Sequence, residues 1–81
     1  MTGAEREWWG LVDLASWDDR REARALASAA VACFVDRDEA GRRVSVTLRW
    51  FAHDLSDALE RVREAAAVDP AAFKSGYPLP L

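Results

Sequence analysis

The 81-residue sequence holds one cysteine, one histidine and one lysine, with only four glycines and three prolines. A lone thiol, Cys33, closes no internal disulfide, and without paired cysteines at metal-ligand spacing no metal site is expected. No glycine-rich phosphate loop is present, so no nucleotide or other cofactor is expected. The sequence has no charged start followed by an apolar run of about 7–15 residues, the pattern of a secretory signal. Its longest uncharged stretch, Ala25 to Val35, falls well short of the ~20 residues of a membrane helix. These absences predict a chain that does not cross a bilayer and a reducing, cytoplasmic setting.

What is present suits one small domain spanning 1–81. The chain is 51% hydrophobic and 31% charged, and at this length roughly 60–65% of the unfolded surface can be buried. That supports a single core and excludes a separate cofactor domain. Fourteen acidic residues against eleven basic ones give a net charge of −3, which makes nucleic acid an unfavoured partner. Ten of the basic residues are arginine, and alanine makes up about a fifth of the chain, a bias of GC-rich coding sequence.

Turn signals at Asp18-Asp19, Asp36 to Gly41 and Asp69-Pro70 divide the chain. Bulky apolar residues from Glu7 to Ala15, interrupted by Gly10 and Asp13, predict a strand. Ser16, Asp18 or Asp19 can then cap a helix reaching about Ala30, with Ala23, Leu26, Ala27 and Ala30 on its apolar face and Arg20, Arg21, Arg24 and Ser28 on the other. Val31 to Val35 is β-branched and aromatic, and the acidic run closed by Gly41 reads as a hairpin turn. Val44, Val46, Leu48 and Trp50 then alternate with Arg43, Ser45, Thr47 and Arg49, the period of a half-buried strand. Asp54 can cap a second helix with the stripe Leu55, Ala58, Leu59, Val62, Ala65 and Ala66, ending at Asp69-Pro70.

This order predicts an α+β fold of the ferredoxin-like βαββα(β) plan, two helices on one face of an antiparallel sheet. Residues 1–6 are expected to be a flexible N-terminus. Residues 70–81 form either a C-terminal tail or an edge strand, in which Pro78 and Pro80, two apart, would turn their missing N–H groups to the same side. The alternative fold makes Arg24 to Val35 one long strand, giving a three-stranded meander plus a C-terminal helix.

Candidate chemistry is sparse. His53-Asp54, where the second helix begins, is the one place for a general base, although Asp54 is better explained as a helix cap. Cys33 reads as a small buried hydrophobe, lacking a neighbouring positive charge to lower its pKa. The first strand, by contrast, is apolar on both faces. In the ferredoxin-like plan its second face places Trp9 and Leu11 beside Ser45, Thr47, Arg49 and Phe51, with Phe34 from the neighbouring strand. Such a surface needs a cover: a second copy or another protein, the C-terminal segment with Phe73, Tyr77, Leu79 and Leu81, or a single-stranded nucleic acid.

The RNA-recognition motif shares this plan, but its aromatic signature on the third strand is replaced here by Ser45 and Thr47. The segment Asp54-Leu55-Ser56-Asp57-Ala58-Leu59-Glu60 after a hairpin resembles the ending of small antitoxin domains of the HicB type. The expected function is a non-enzymatic protein–protein interaction module, a homodimerising regulatory or accessory subunit, with Trp9, Leu11, Phe34, Arg49 and Phe51 at the interface. The alternatives are a small ligand-binding or enzymatic domain with a pocket near His53, or a single-stranded nucleic-acid binder using the open sheet face.

Overall fold

A computed structural model describes residues 4–81. They form β1 (Arg6–Leu11), α1 (Asp19–Ala27), β2 (Val31–Arg37), β3 (Arg43–Ala52), α2 (Leu55–Ala66) and β4 (Leu79–Pro80), with 3-10 turns at Leu14–Ser16 and Pro70–Ala72. The fold is α+β, an open four-stranded antiparallel sheet in the order β2-β3-β1-β4 with two helices. The meander alternative is overturned, because Asp19–Ala27 is helical. Arg6 opens β1 inside the run 1–6 expected to be flexible, and residues 1–3 of that run lie outside the described residues.

Aspartate starts every helical element. The carboxylates of Asp18 and Asp54 accept the backbone N–H of Arg21 and Asp57, each at 2.9 Å, satisfying donors that a helix N-terminus leaves open. Asp13 and Asp69 do the same for the two 3-10 turns. The amide bond from Arg21 is the largest influence on Asp18 and holds its carboxyl below the ordinary value.

The antiparallel register sets Trp8 opposite Trp50 and Trp50 opposite Val31, a row across three strands. With Val12, Val46, Leu48 and Ala52 they are buried beneath Ala25 of α1 and Ala58, Val62 and Ala66 of α2. Two indoles are satisfied inside this core: Trp8 Nε1 donates to Ala52 O at 3.1 Å and Trp50 Nε1 to Ala58 O at 2.9 Å.

Several sequence expectations need correction. The first strand ends at Leu11 rather than Ala15, because the turn at Leu14–Ser16 swings Leu14 out to 36% exposure. Helix α1 ends at Ala27, and its inward side carries Arg21, Glu22, Ala25 and Ser28, while Ala23, Leu26, Ala27 and Ala30 are exposed. The inward polar residues are used: Arg21 donates to Ser16 O, and Glu22 receives Arg37 and Arg43. Leu55 is also exposed, so α2 packs mainly through its small residues.

Helix α2 stops at Ala66, before Asp69-Pro70, because Ala67 takes the left-handed conformation with φ +53°. Glycine is the usual residue at such a position, since a Cβ is disfavoured there. Ala67 is exposed, so Ala67→Gly should relieve the strain without loss of packing and stabilise the fold by about 0.5–1 kcal/mol. Urea denaturation would show this as a higher midpoint at unchanged slope.

The C-terminal segment closes one edge of the sheet. Asp13 N–H donates to Ala72 O and Lys74 N–H to Leu11 O, and farther along Leu81 N–H donates to Glu7 O at 2.8 Å. With Trp9 opposite Leu79 and Trp8 opposite Pro80, the alternation of antiparallel bonding aims the Pro80 nitrogen away from β1. The missing N–H of Pro80 therefore falls on the outer side of the edge strand, where no ladder bond is made.

Candidate functional site

The site is the sheet face away from the helices. Register places Trp9 beside Arg49 and Arg49 beside Ala32, Leu11 beside Thr47 and Thr47 beside Phe34, and Phe51 beside Glu7. Paired residues project to the same side of a sheet, so Trp9, Leu11, Phe34, Arg49 and Phe51 share one face. Phe34 is 51% and Phe51 56% exposed. Trp9, Leu11 and Arg49 are half-buried.

The C-terminal segment covers part of this face. The Tyr77 ring meets Trp9 edge-on, with centroids 4.7 Å apart. Leu79 and Leu81 continue the apolar surface at 40% and 62% exposure, and Leu81 joins Trp9, Thr47 and Arg49 around a shallow hollow. Phe73 goes the other way, into the core, where its ring stacks on Trp50 at 5.7 Å. The segment thus serves both sides of the sheet, whereas the sequence pattern groups Phe73 with Tyr77, Leu79 and Leu81 as a cover for the open side.

Polar groups on the face are paired with one another. Arg49 Nε lies 2.8 Å from a Glu7 carboxylate oxygen, an ion pair by distance in which that buried Nε makes no hydrogen bond among the described residues, and the Ser45 hydroxyl donates to Asp36 at 2.8 Å. The centre of the face is therefore neutral and bordered by aromatic and leucine side chains.

His53 is exposed at the turn into α2. Its backbone N–H donates to Asp57 Oδ2 at 2.9 Å, and its Nε2 is 3.6 Å from Glu5 Oε1. That amide bond is the main reason the Asp57 carboxyl sits below its ordinary value, with Arg61 adding to it. Asp54 Oδ1 accepts the Asp57 N–H at 2.9 Å and caps α2, the role that the sequence assigns it. Cys33 is half-buried, and desolvation pushes its thiol up from the ordinary value, the opposite of an activated nucleophile.

A cleft of about 410 Å³ lies between the hairpin and the start of α1, lined by Leu14, Trp17, Asp19, Arg37, Gly41, Arg42 and Arg43. Its charges are self-compensated. Arg37 pairs with Glu22 at 2.6 Å, Arg42 with Asp38 at 3.0 Å, and Arg43 with Asp19 at 2.5 Å and Glu22 at 3.1 Å. The Asp19 carboxylate is the leading reason the Arg43 guanidinium is held above its ordinary value. Trp17 is 5% exposed, and its indole N–H is buried without an acceptor among the described residues. The sequence signal for its burial is its place just before the helix cap, a position that often packs inward.

Among the described residues, no group of three or more histidine, cysteine, aspartate or glutamate side chains is placed to hold a metal ion, and no helix is long and apolar enough to cross a membrane. No family model, curated protein or solved structure matches the chain.

Proposed function

We propose that the protein is a non-enzymatic protein–protein interaction module whose working surface is the open sheet face, and that a second copy of the chain is its partner. The single observation that carries this reading is the exposure of Phe34 and Phe51, each about half exposed on the sheet face that the helices leave open. Together with Leu79 and Leu81 they expose four large apolar side chains on one face of a small domain, a concentration that marks an interaction site.

The charge pattern supports a protein partner over nucleic acid. Arg49 is committed to Glu7, so the face is neutral where a phosphate backbone needs uncommitted cations. The face carries the Arg49–Glu7 pair at its centre and the Asp36 carboxylate at its β2 side, a charge small enough for it to meet its own copy across a two-fold axis. The strand order, with both helices on the opposite face, supports reading the fold as ferredoxin-like, and on that plan this face is the one available to partners.

Light scattering tests the reading. The wild type should show a mass above the 9.0 kDa of one chain at high micromolar concentration, and Phe51→Ser should lower that mass while leaving the far-ultraviolet spectrum intact. A wild type that is strictly monomeric would overturn it, as would a Phe51→Ser variant of unchanged mass.

A further inference from the structure

We propose that the outer edge of β2 is a second interface, where β2 of another copy adds in antiparallel fashion about a two-fold axis at Phe34. This goes beyond the face reading and does not depend on it.

The bonding phase of the sheet carries the argument. Val12 N–H donates to Val46 O at 3.0 Å, and Val12 continues the β1–β3 register. In antiparallel pairs, bonded and non-bonded positions alternate. Val46, Leu48 and Trp50 of β3 therefore bond toward β1, and Ser45, Thr47 and Arg49 bond toward β2. Their partners on β2 are Asp36, Phe34 and Ala32. Cys33 and Val35 consequently aim their backbone N–H and C=O groups away from the sheet.

The two edges are treated differently. On the β1 side, residues 72–74 and 79–81 occupy the outward groups of β1, and Pro80 blunts what lies beyond. The β2 edge is a seven-residue strand, VACFVDR, without proline or lysine. Its one irregularity is a register shift between Asp36 and Arg37, at its end. Exposed edges of this kind are templates for strand pairing unless blunted or covered.

Self-complementarity points to a second copy. Pairing about Phe34 sets Phe34 opposite its own equivalent, Cys33 opposite Val35, and Ala32 opposite Asp36. No like charges meet, and the two-fold position falls on a non-bonded pair, where aromatic side chains come close. Exposed apolar side chains flank the edge in both layers. Phe34 lies on the open face, and Leu26, 61% exposed, lies on α1. Helical geometry puts Arg24 and Leu26 about 100° to either side of buried Ala25. Arg24 reaches Glu64 O of α2 at 3.5 Å, so Leu26 is on the flank away from α2, beside the free edge.

The test uses the full chain carrying Phe51→Ser, which weakens the face contact. Amide hydrogen exchange is followed residue by residue at about 10 µM and about 1 mM, a range over which mass action fills a weak dimer. Slowing of at least about tenfold at Cys33 and Val35 on concentration, with no change at Ala32 and Phe34, is the expected result. Equal exchange of Cys33 and Val35 at both concentrations overturns the proposal and leaves the face reading untouched. As a second measurement, Phe34→Cys with Cys33→Ala should form an oxidised dimer, since a non-bonded pair brings Cα atoms to about 4.5 Å, within disulfide range. Failure to cross-link under conditions where the variant is folded also counts against it.

Discussion

Replacing Trp50 with alanine is expected to cost about 3–5 kcal/mol, the range for truncating a buried aromatic. Trp50 is 2% exposed at the centre of the widest row of the sheet, between Trp8 and Val31. Its loss removes the stacking partner of Phe73 and leaves the Ala58 carbonyl without its indole donor. Small neighbours make the cavity hard to refill: Ala58 is the α2 residue nearest the indole N–H, and Gly10 has no side chain to move. A domain of this size has roughly 4–12 kcal/mol of total stability, so the substitution should remove from about a quarter to all of it. Denaturant titration followed by circular dichroism would check it. A loss below about 1 kcal/mol, typical of a surface position, would place Trp50 outside the core.

The second large effect is expected at Phe73, in the segment whose sequence reads as either a tail or an edge strand. Phe73→Ala should cost about 3 kcal/mol or more. Its ring is 8% exposed, lies against Trp50, and fills the notch over Gly10, where a Cβ would stand 2.7 Å from the ring. Because Phe73 and Trp50 share one contact, their effects should not add. The double variant is expected to lose less than the sum of the two by about 0.5–3 kcal/mol. If the segment were only a tail, Phe73→Ala would change stability by no more than about 0.5 kcal/mol, and the double variant would match Trp50→Ala.

What was legible in the sequence follows from how strictly each element is patterned. The alternation Val46, Leu48, Trp50 against Ser45, Thr47, Arg49 fixed both β3 and its two faces, because a strand repeats every two residues and one side is buried. Asp18 and Asp54 marked the helix starts for a local reason, the unsatisfied amides of a first turn. Helix α1 misled because its inward side is built from Arg21 and Glu22, whose charges are spent on Ser16 O, Arg37 and Arg43. That use depends on residues far along the chain and leaves no periodic trace. The end of α2 was hidden for a related reason, since Ala67 holds a conformation that composition assigns to glycine.

The open face was legible through the excess of apolar residues in β1. Trp9, Leu11, Phe34, Arg49 and Phe51 fall on it together because the β1–β3 and β2–β3 registers are in phase. The division between the covers was not legible. Tyr77 reaches Trp9 while Phe73 turns into the core, and that split is set by the turn at Pro70–Ala72 and the pairing of residues 72–74 with β1.

The central claim is that one side of the sheet holds the fold together and the other holds a second copy. Chemical denaturation of the wild type and of Phe51→Ser over a wide range of protein concentrations tests it most directly, because a folded assembly gains stability by mass action whereas a monomer does not. The wild-type midpoint should rise with concentration, and the rise should shrink in Phe51→Ser while the dilute-limit midpoints of the two proteins coincide. A wild-type midpoint that stays fixed from low to high micromolar concentration, or a Phe51→Ser midpoint that climbs as steeply as the wild type's, would contradict the account.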